Sequence, residues 1–146
     1  MSRIVVGIDG SRHSQRALEW AISEASLRHL PLTVITVYRT MVGYWGGAVA
    51  FPEDHALAEK ARKEAQEATD KALALAGAAR PEKVTVEVLS GLPAEELVAV
   101  SKDADILVVG SRGTGGFARL LLGSVSTQVA HHAHCPVVVI PAEDRH

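Results

Sequence analysis

Ile106-Leu-Val-Val-Gly110-Ser-Arg-Gly113-Thr-Gly-Gly-Phe-Ala-Arg-Leu-Leu-Leu-Gly123-Ser124 joins a buried apolar run, a glycine-rich passage and a helix start. The run Ile106 to Val109 is apolar on both faces, which predicts a central strand of a parallel sheet. From about Ser124 to His132 the pattern reads as a helix. A strand that passes through glycines into a helix is the repeating unit of α/β folds. The same glycines carry chemistry. Without Cβ atoms at 110, 113 and 123, a phosphate chain can lie against bare backbone, where N–H groups and a helix N-terminus offer positive charge.

Working outward, strands and helices alternate. A first strand spans about Arg3 to Asp9, and a helix follows from about Ser11, with Ser11 or Ser14 available to cap it. Leu18, Ala21, Ile22 and Ala25 give that helix one apolar face. The second strand is Leu32 to Tyr38, and a connection containing Gly43, Gly46 and Gly47 leads to a long helix from Pro52 to Ala76. Its expected seam is Ala58, Ala61, Ala65, Ala68, Ala72 and Leu75. Lys83 to Ser90 alternates Val84, Val86 and Val88 with Thr85 and Glu87, which predicts a half-exposed edge strand. A short helix opens at Pro93 and includes Leu97 and Val100. Val137 to Ile140 is the last strand. Five strands separated by four helices predict a doubly wound parallel sheet with right-handed crossovers and helices on both faces. The reading is one domain over 1–146, with its core at about 3–141.

Bulk properties narrow the function. Net charge is −2 with 22% charged residues, so no basic field marks the chain for nucleic acid. One cysteine excludes an internal disulfide and suits a reducing cytosol. No apolar run approaches the ~18 residues of a membrane span, and the N-terminus leads into a strand, not a signal peptide. The expectation is a soluble cytoplasmic protein without nucleic-acid or membrane partners.

Three phosphate motifs compete for the glycine stretch. A P-loop requires a Lys followed by Ser or Thr after its last glycine, and no such Lys is present. Gly113-Thr-Gly115-Gly-Phe-Ala118 fits a dinucleotide fingerprint. That motif belongs to the first βαβ unit with an acid about 20 residues on, and here the next strand carries none. The third pattern is Gly-x2-Gly-x9-Gly-Ser, met by Gly110, Gly113, Gly123 and Ser124. Together with the opening Ile4-Val-Val-Gly7-Ile-Asp9-Gly-Ser11, it resembles the ATP-binding branch of the universal stress protein family. Ser14, Ala17, Leu18, the Gly91-x-Pro93 step and the ending His132 to Pro141 extend the resemblance from about Arg3 to Pro141.

The resemblance implies the strand order 3-2-1-4-5, a Rossmann-like, adenine nucleotide alpha hydrolase-like sheet. In that order Asp9 and Gly110, at the ends of neighbouring strands, share one crevice. It implies ATP as ligand, with Mg²⁺ held partly by Asp9. A turn with Ser11, or a cap on the first helix, is the other role open to Asp9. The binding set it implies further includes Gly7, Ile8, Val37 (main chain against adenine), Gly110, Ser111, Gly113, Gly123, Ser124 and Val125. Arg112 and Arg119 either reach phosphate oxygens or remain solvated. Leu120-Leu-Leu122 reads as a brace for the loop. In the family the last strand pairs with its copy, so residues 137–141 imply a homodimer.

Other features carry less. His131, His132, His134 and Cys135 have metal-binding side chains, but neighbours on a helix diverge and no second ligand pair stands out. Histidines also suit the last turn of a helix, and Cys135 suits a small core position. Tyr44 and Trp45 are either a flap over a base, a partner-binding tip or a packing cluster. A phosphorelay receiver shares the strand order but needs an acceptor Asp where Ser90-Gly-Leu-Pro93 stands. No histidine or glutamate occupies a recognised catalytic position, so any ATP hydrolysis is expected to be slow. The expected function is an ATP-dependent regulatory module in stress response, acting on an unknown protein partner. Its rivals are a nucleotide-free interaction module of the same fold and a weak ATPase.

Overall fold

The apolar runs become five strands: β1 (Ile4–Ile8), β2 (Leu32–Tyr38), β3 (Val84–Ser90), β4 (Ile106–Gly110) and β5 (Val137–Ile140). A computed structural model describes residues 2–38, 52–111 and 124–141. The strands form one parallel sheet in the order β3-β2-β1-β4-β5, as expected. Helices α1 (Arg12–Arg28), α2 (Pro52–Ala76), α3 (Pro93–Val100) and α4 (Ser124–His132) connect them, with a 3-10 turn at Ser101–Asp103.

Period-two alternation in the central strands divides the interior into two cores. Ile4, Val6, Ile8, Ile106 and Val108 pack with Leu18, Ile22 and Ala25 of α1 and with Ala65, Ala72 and Leu73 of α2. Val5, Ile35, Leu107 and Val109 pack with Ala94 and Leu97 of α3 and Val129 of α4. Full burial of each larger side chain contributes about 1.5–3 kcal/mol. The outer strands β3 and β5 are half-buried along most of their length.

Local signals set the helix ends. Ser11 is the N-cap of α1, its Oγ accepting from the Ser14 amide at 3.2 Å. The helix stops at His29, whose φ of 57° is left-handed and whose N–H turns back to the carbonyls of Ala25 and Ser26. In α2 the seam differs from expectation: Leu75 is 70% exposed and Leu73 is buried. Stepping three residues from Ala72 leaves the stripe, which runs Ala65, Thr69, Ala72, Leu73, Ala76. Thr69 is fully buried and donates its hydroxyl to the Ala65 carbonyl at 2.7 Å.

The length of α2 has a geometric result. Its 25 residues span about 37 Å at 1.5 Å each. The seven residues of β2 span about 23 Å. Because α2 links the carboxyl end of β2 to the start of β3, its N-terminal end lies at the carboxyl edge of the sheet. Ala65 is the first fully buried position along the described side chains of α2. The turns before it therefore rise past that edge.

Polar contacts fasten the opposite edge. Arg3 donates to Asp103 Oδ1 at 2.8 Å and to Thr33 Oγ1 at 3.1 Å. That hydrogen bond, and then the arginine charge, hold the Asp103 carboxyl below its ordinary pKa. Ser101, fully buried, donates to the Val98 carbonyl at 2.6 Å and accepts from the His134 amide at 2.9 Å. One hydroxyl thus ties the end of α3 to the turn that enters β5.

Candidate functional site

β1 and β4 are hydrogen-bonded neighbours, with Ile4 opposite Ile106 and Val6 opposite Val108. Continuing that register sets Ile8 level with Gly110. Beyond these residues the chain leaves β1 toward α1 on one face, while α4 lies on the other face. This is the switch point of the sheet, where the strand order reverses and a crevice opens at the carboxyl ends. Asp9 and Gly110, proposed from sequence to share a crevice, stand on its two sides.

The Asp9 side is a tight turn. Asp9 Oδ1 accepts from the Ser11 amide at 2.9 Å and from the Ser11 hydroxyl at 2.6 Å. The Asp9 amide donates to Ser14 Oγ at 3.3 Å. Gly10 between them has φ +84°, a conformation that disfavours any side chain. So the turn role considered for Asp9 is realised, and it fixes where the carboxylate sits. Glu64 of α2 reaches the same turn: its Oε2 lies 3.8 Å from where a Cβ on Gly10 would be. An exposed acid on a charged helix gives no signal in the sequence, so that approach was not foreseen.

On the β4 side, the Ser111 amide donates to the Ile140 carbonyl at 2.8 Å. Ser126 of α4, 2% exposed, donates to the Ser111 carbonyl at 3.2 Å. Ser126 was not singled out from sequence; a serine on a helix shows its partner only after folding. Ser124 begins α4 and is exposed, while Val125 is half-buried against the second core.

The remaining expected residues divide by burial. Ile8 is 7% exposed with its side chain in the first core, and in the sheet it pairs with Thr36 of β2. Val37 packs against the second core near the end of β2. Gly7 belongs to the implied binding set, yet a Cβ there would meet Leu97 Cδ1 at 2.9 Å. Its lack of a side chain lets Leu97 of α3 pack directly against β1. Arg112, Gly113, Arg119, Leu120 to Leu122 and Gly123 lie outside the described residues, as do Tyr44 and Trp45.

The histidine group sits at the far end of α4, away from the crevice. His131 and His132 have ring centroids 6.2 Å apart at 50°, and both are exposed. Among the described residues, no group of three or more His, Cys, Asp or Glu side chains is placed to hold a metal ion. Cys135 is half-buried, and burial raises its thiol pKa. Among the described residues, no helix is long and apolar enough to cross a membrane.

The profile of the universal stress protein family matches residues 1–141. The chain belongs to the universal stress protein family. It is 38% identical over 149 residues to universal stress protein Rv2623 of Mycobacterium tuberculosis, covering 97% of this chain and 48% of that protein. The chain spans about half the length of the curated relatives it matches. Among solved structures, it resembles the universal stress protein UspA from Lactobacillus plantarum, with TM-score 0.73 and 28% identity over 95% of this chain and 97% of that one. A universal stress protein crystallised in complex with cAMP matches with TM-score 0.68 and 28% identity, over 97% and 98% of the two chains. Membership in the universal stress protein family agrees with the motif reading and with the five-stranded order.

Proposed function

We propose that this universal stress protein binds ATP in the crevice between the carboxyl ends of β1 and β4 and acts as a nucleotide-dependent regulatory module. The observation that carries this reading is the juxtaposition of Asp9 with the Gly110 loop start at the switch point. Support comes from the cAMP bound by a relative of the same fold. Backbone N–H groups of the stretch from Gly110 to Ser124 and the start of α4 would receive the phosphates. Val37 would meet the base through its main chain. A Mg²⁺ ion takes one or two carboxylates plus phosphate oxygens and water, and the Asp9 carboxylate at this turn fits that requirement.

The decisive experiment is to denature freshly purified protein and identify released nucleotide by chromatography with mass detection. Near-stoichiometric ATP is the expected result. ADP would favour hydrolysis. An empty extract, with no heat on titrating Mg-ATP, would leave a nucleotide-free interaction module as the better reading.

We further propose a homodimer through β5. Among the described residues this strand is an edge, so one row of its backbone groups has no neighbour there in the sheet. All four of its residues are half-buried, an apolar strip suited to a second copy. Light scattering should give twice the chain mass at micromolar concentration; a monomer mass independent of concentration would refute the dimer.

A further inference from the structure

We propose that Glu64 is a selectivity residue of this crevice, which disfavours free polyphosphate and favours nucleotide complexed with a divalent cation. The inference rests on the nucleotide reading above and adds a determinant from another element. Three observations carry it. First, the Glu64 carboxylate stands over the Asp9–Gly10 turn, 3.8 Å from the Cβ position at Gly10. Second, the backbone sets this approach. α1 and α2 run side by side, and further along Glu19 and Ser23 of α1 share a groove with Ala72, Leu75 and Ala76 of α2. The same alignment brings the start of α1 level with Glu64, on the part of α2 that rises past the sheet edge. Third, among the described residues Glu64 forms no ion pair, although Lys60 is one turn earlier.

The electrostatic result follows. Two carboxylates, Asp9 and Glu64, flank one turn, beside the partial positive charge of the α1 N-terminus and Arg12, the first residue of that helix. A free triphosphate brings its full charge toward this pair and is repelled. A bound divalent cation cancels two of those charges and is itself attracted to the carboxylates. Glu64 need not coordinate the ion, because a charge acts across the several ångströms of a partly screened cleft.

The test is calorimetric titration of the full chain with ATP in Mg²⁺ and in EDTA, and with AMP in EDTA, using wild type, Glu64→Gln, Glu64→Lys and Glu64→Asp. Wild type should prefer Mg-ATP. Glu64→Gln should narrow the Mg-ATP to free-ATP affinity ratio about tenfold, chiefly by tightening free ATP, with a smaller effect on AMP. Glu64→Lys should narrow it further, and Glu64→Asp should keep most of it. An unchanged ratio in Glu64→Gln and Glu64→Lys, with wild type binding normally, would overturn the role of Glu64 and leave the nucleotide site intact. An equal loss of all three ligands would also overturn it, since a structural role does not discriminate by charge. Failure of wild type to bind any of the three would overturn both readings.

Discussion

Gly7→Ala should destabilise the fold by about 1–3 kcal/mol, although it adds one methyl group. That methyl would stand 2.9 Å from Leu97 Cδ1 and 3.1 Å from Cδ2. Leu97 is 4% exposed and belongs to the second core with Val5, Ile35, Leu107, Val109 and Val129, so it has little room to retreat. Backbone strain does not enter, because Gly7 is strand and not among the positive-φ glycines. Leu97→Ala alone should cost about 2–5 kcal/mol by opening a cavity. In the double variant the new methyl occupies part of that cavity, so the two costs should fall short of their sum by about 1 kcal/mol or more. Urea unfolding of the four proteins measures this coupling. Strict additivity would show that Gly7 and Leu97 do not share the space.

Asp9 separates structure from binding. Asp9→Ala removes the acceptor for the Ser11 amide and hydroxyl, and should cost about 1–2 kcal/mol of stability. Asp9→Asn keeps a side-chain oxygen for those donors and should fold with nearly wild-type stability. Both variants lose the carboxylate, so both should bind Mg-ATP at least about tenfold more weakly. Thermal melts and calorimetric titration of the same preparations check the two halves. If Asp9→Asn binds Mg-ATP as wild type does, Asp9 is a turn former and the cation is held elsewhere.

The alternation of elements was legible because each strand and helix carries its own period. β2, α2, α4 and β5 begin and end where the apolar patterns do. Legibility failed where a partner decides. Leu75 looks like a seam residue by spacing, but alanine on both sides of the stripe leaves its phase weakly marked, and Leu73 took the place. Gly7 sits in a motif where glycine suggests ligand access, and only the arrival of α3 reveals Leu97 against it. Asp9 and the Gly110 start of the loop were visible as strand ends, while their adjacency came from family resemblance and was then found in the sheet. Ser126 and Glu64 were invisible because their neighbours are far away in sequence.

The two faces of the sheet are unequally anchored. β1, α1 and β2 carry most of the fully buried side chains, whereas the described part of α4 buries only Ser126 and Val129, and β5 is half-buried throughout. Local opening should therefore begin with α4 and β5, at a lower free energy than global unfolding. The stretch from Gly110 to Ser124 joins these two regimes. A ligand spanning Asp9 and the start of α4 would add its binding energy to the looser unit. Occupancy would then be felt as amide protection gained in α4 and β5, with β1 and β2 already near their limit.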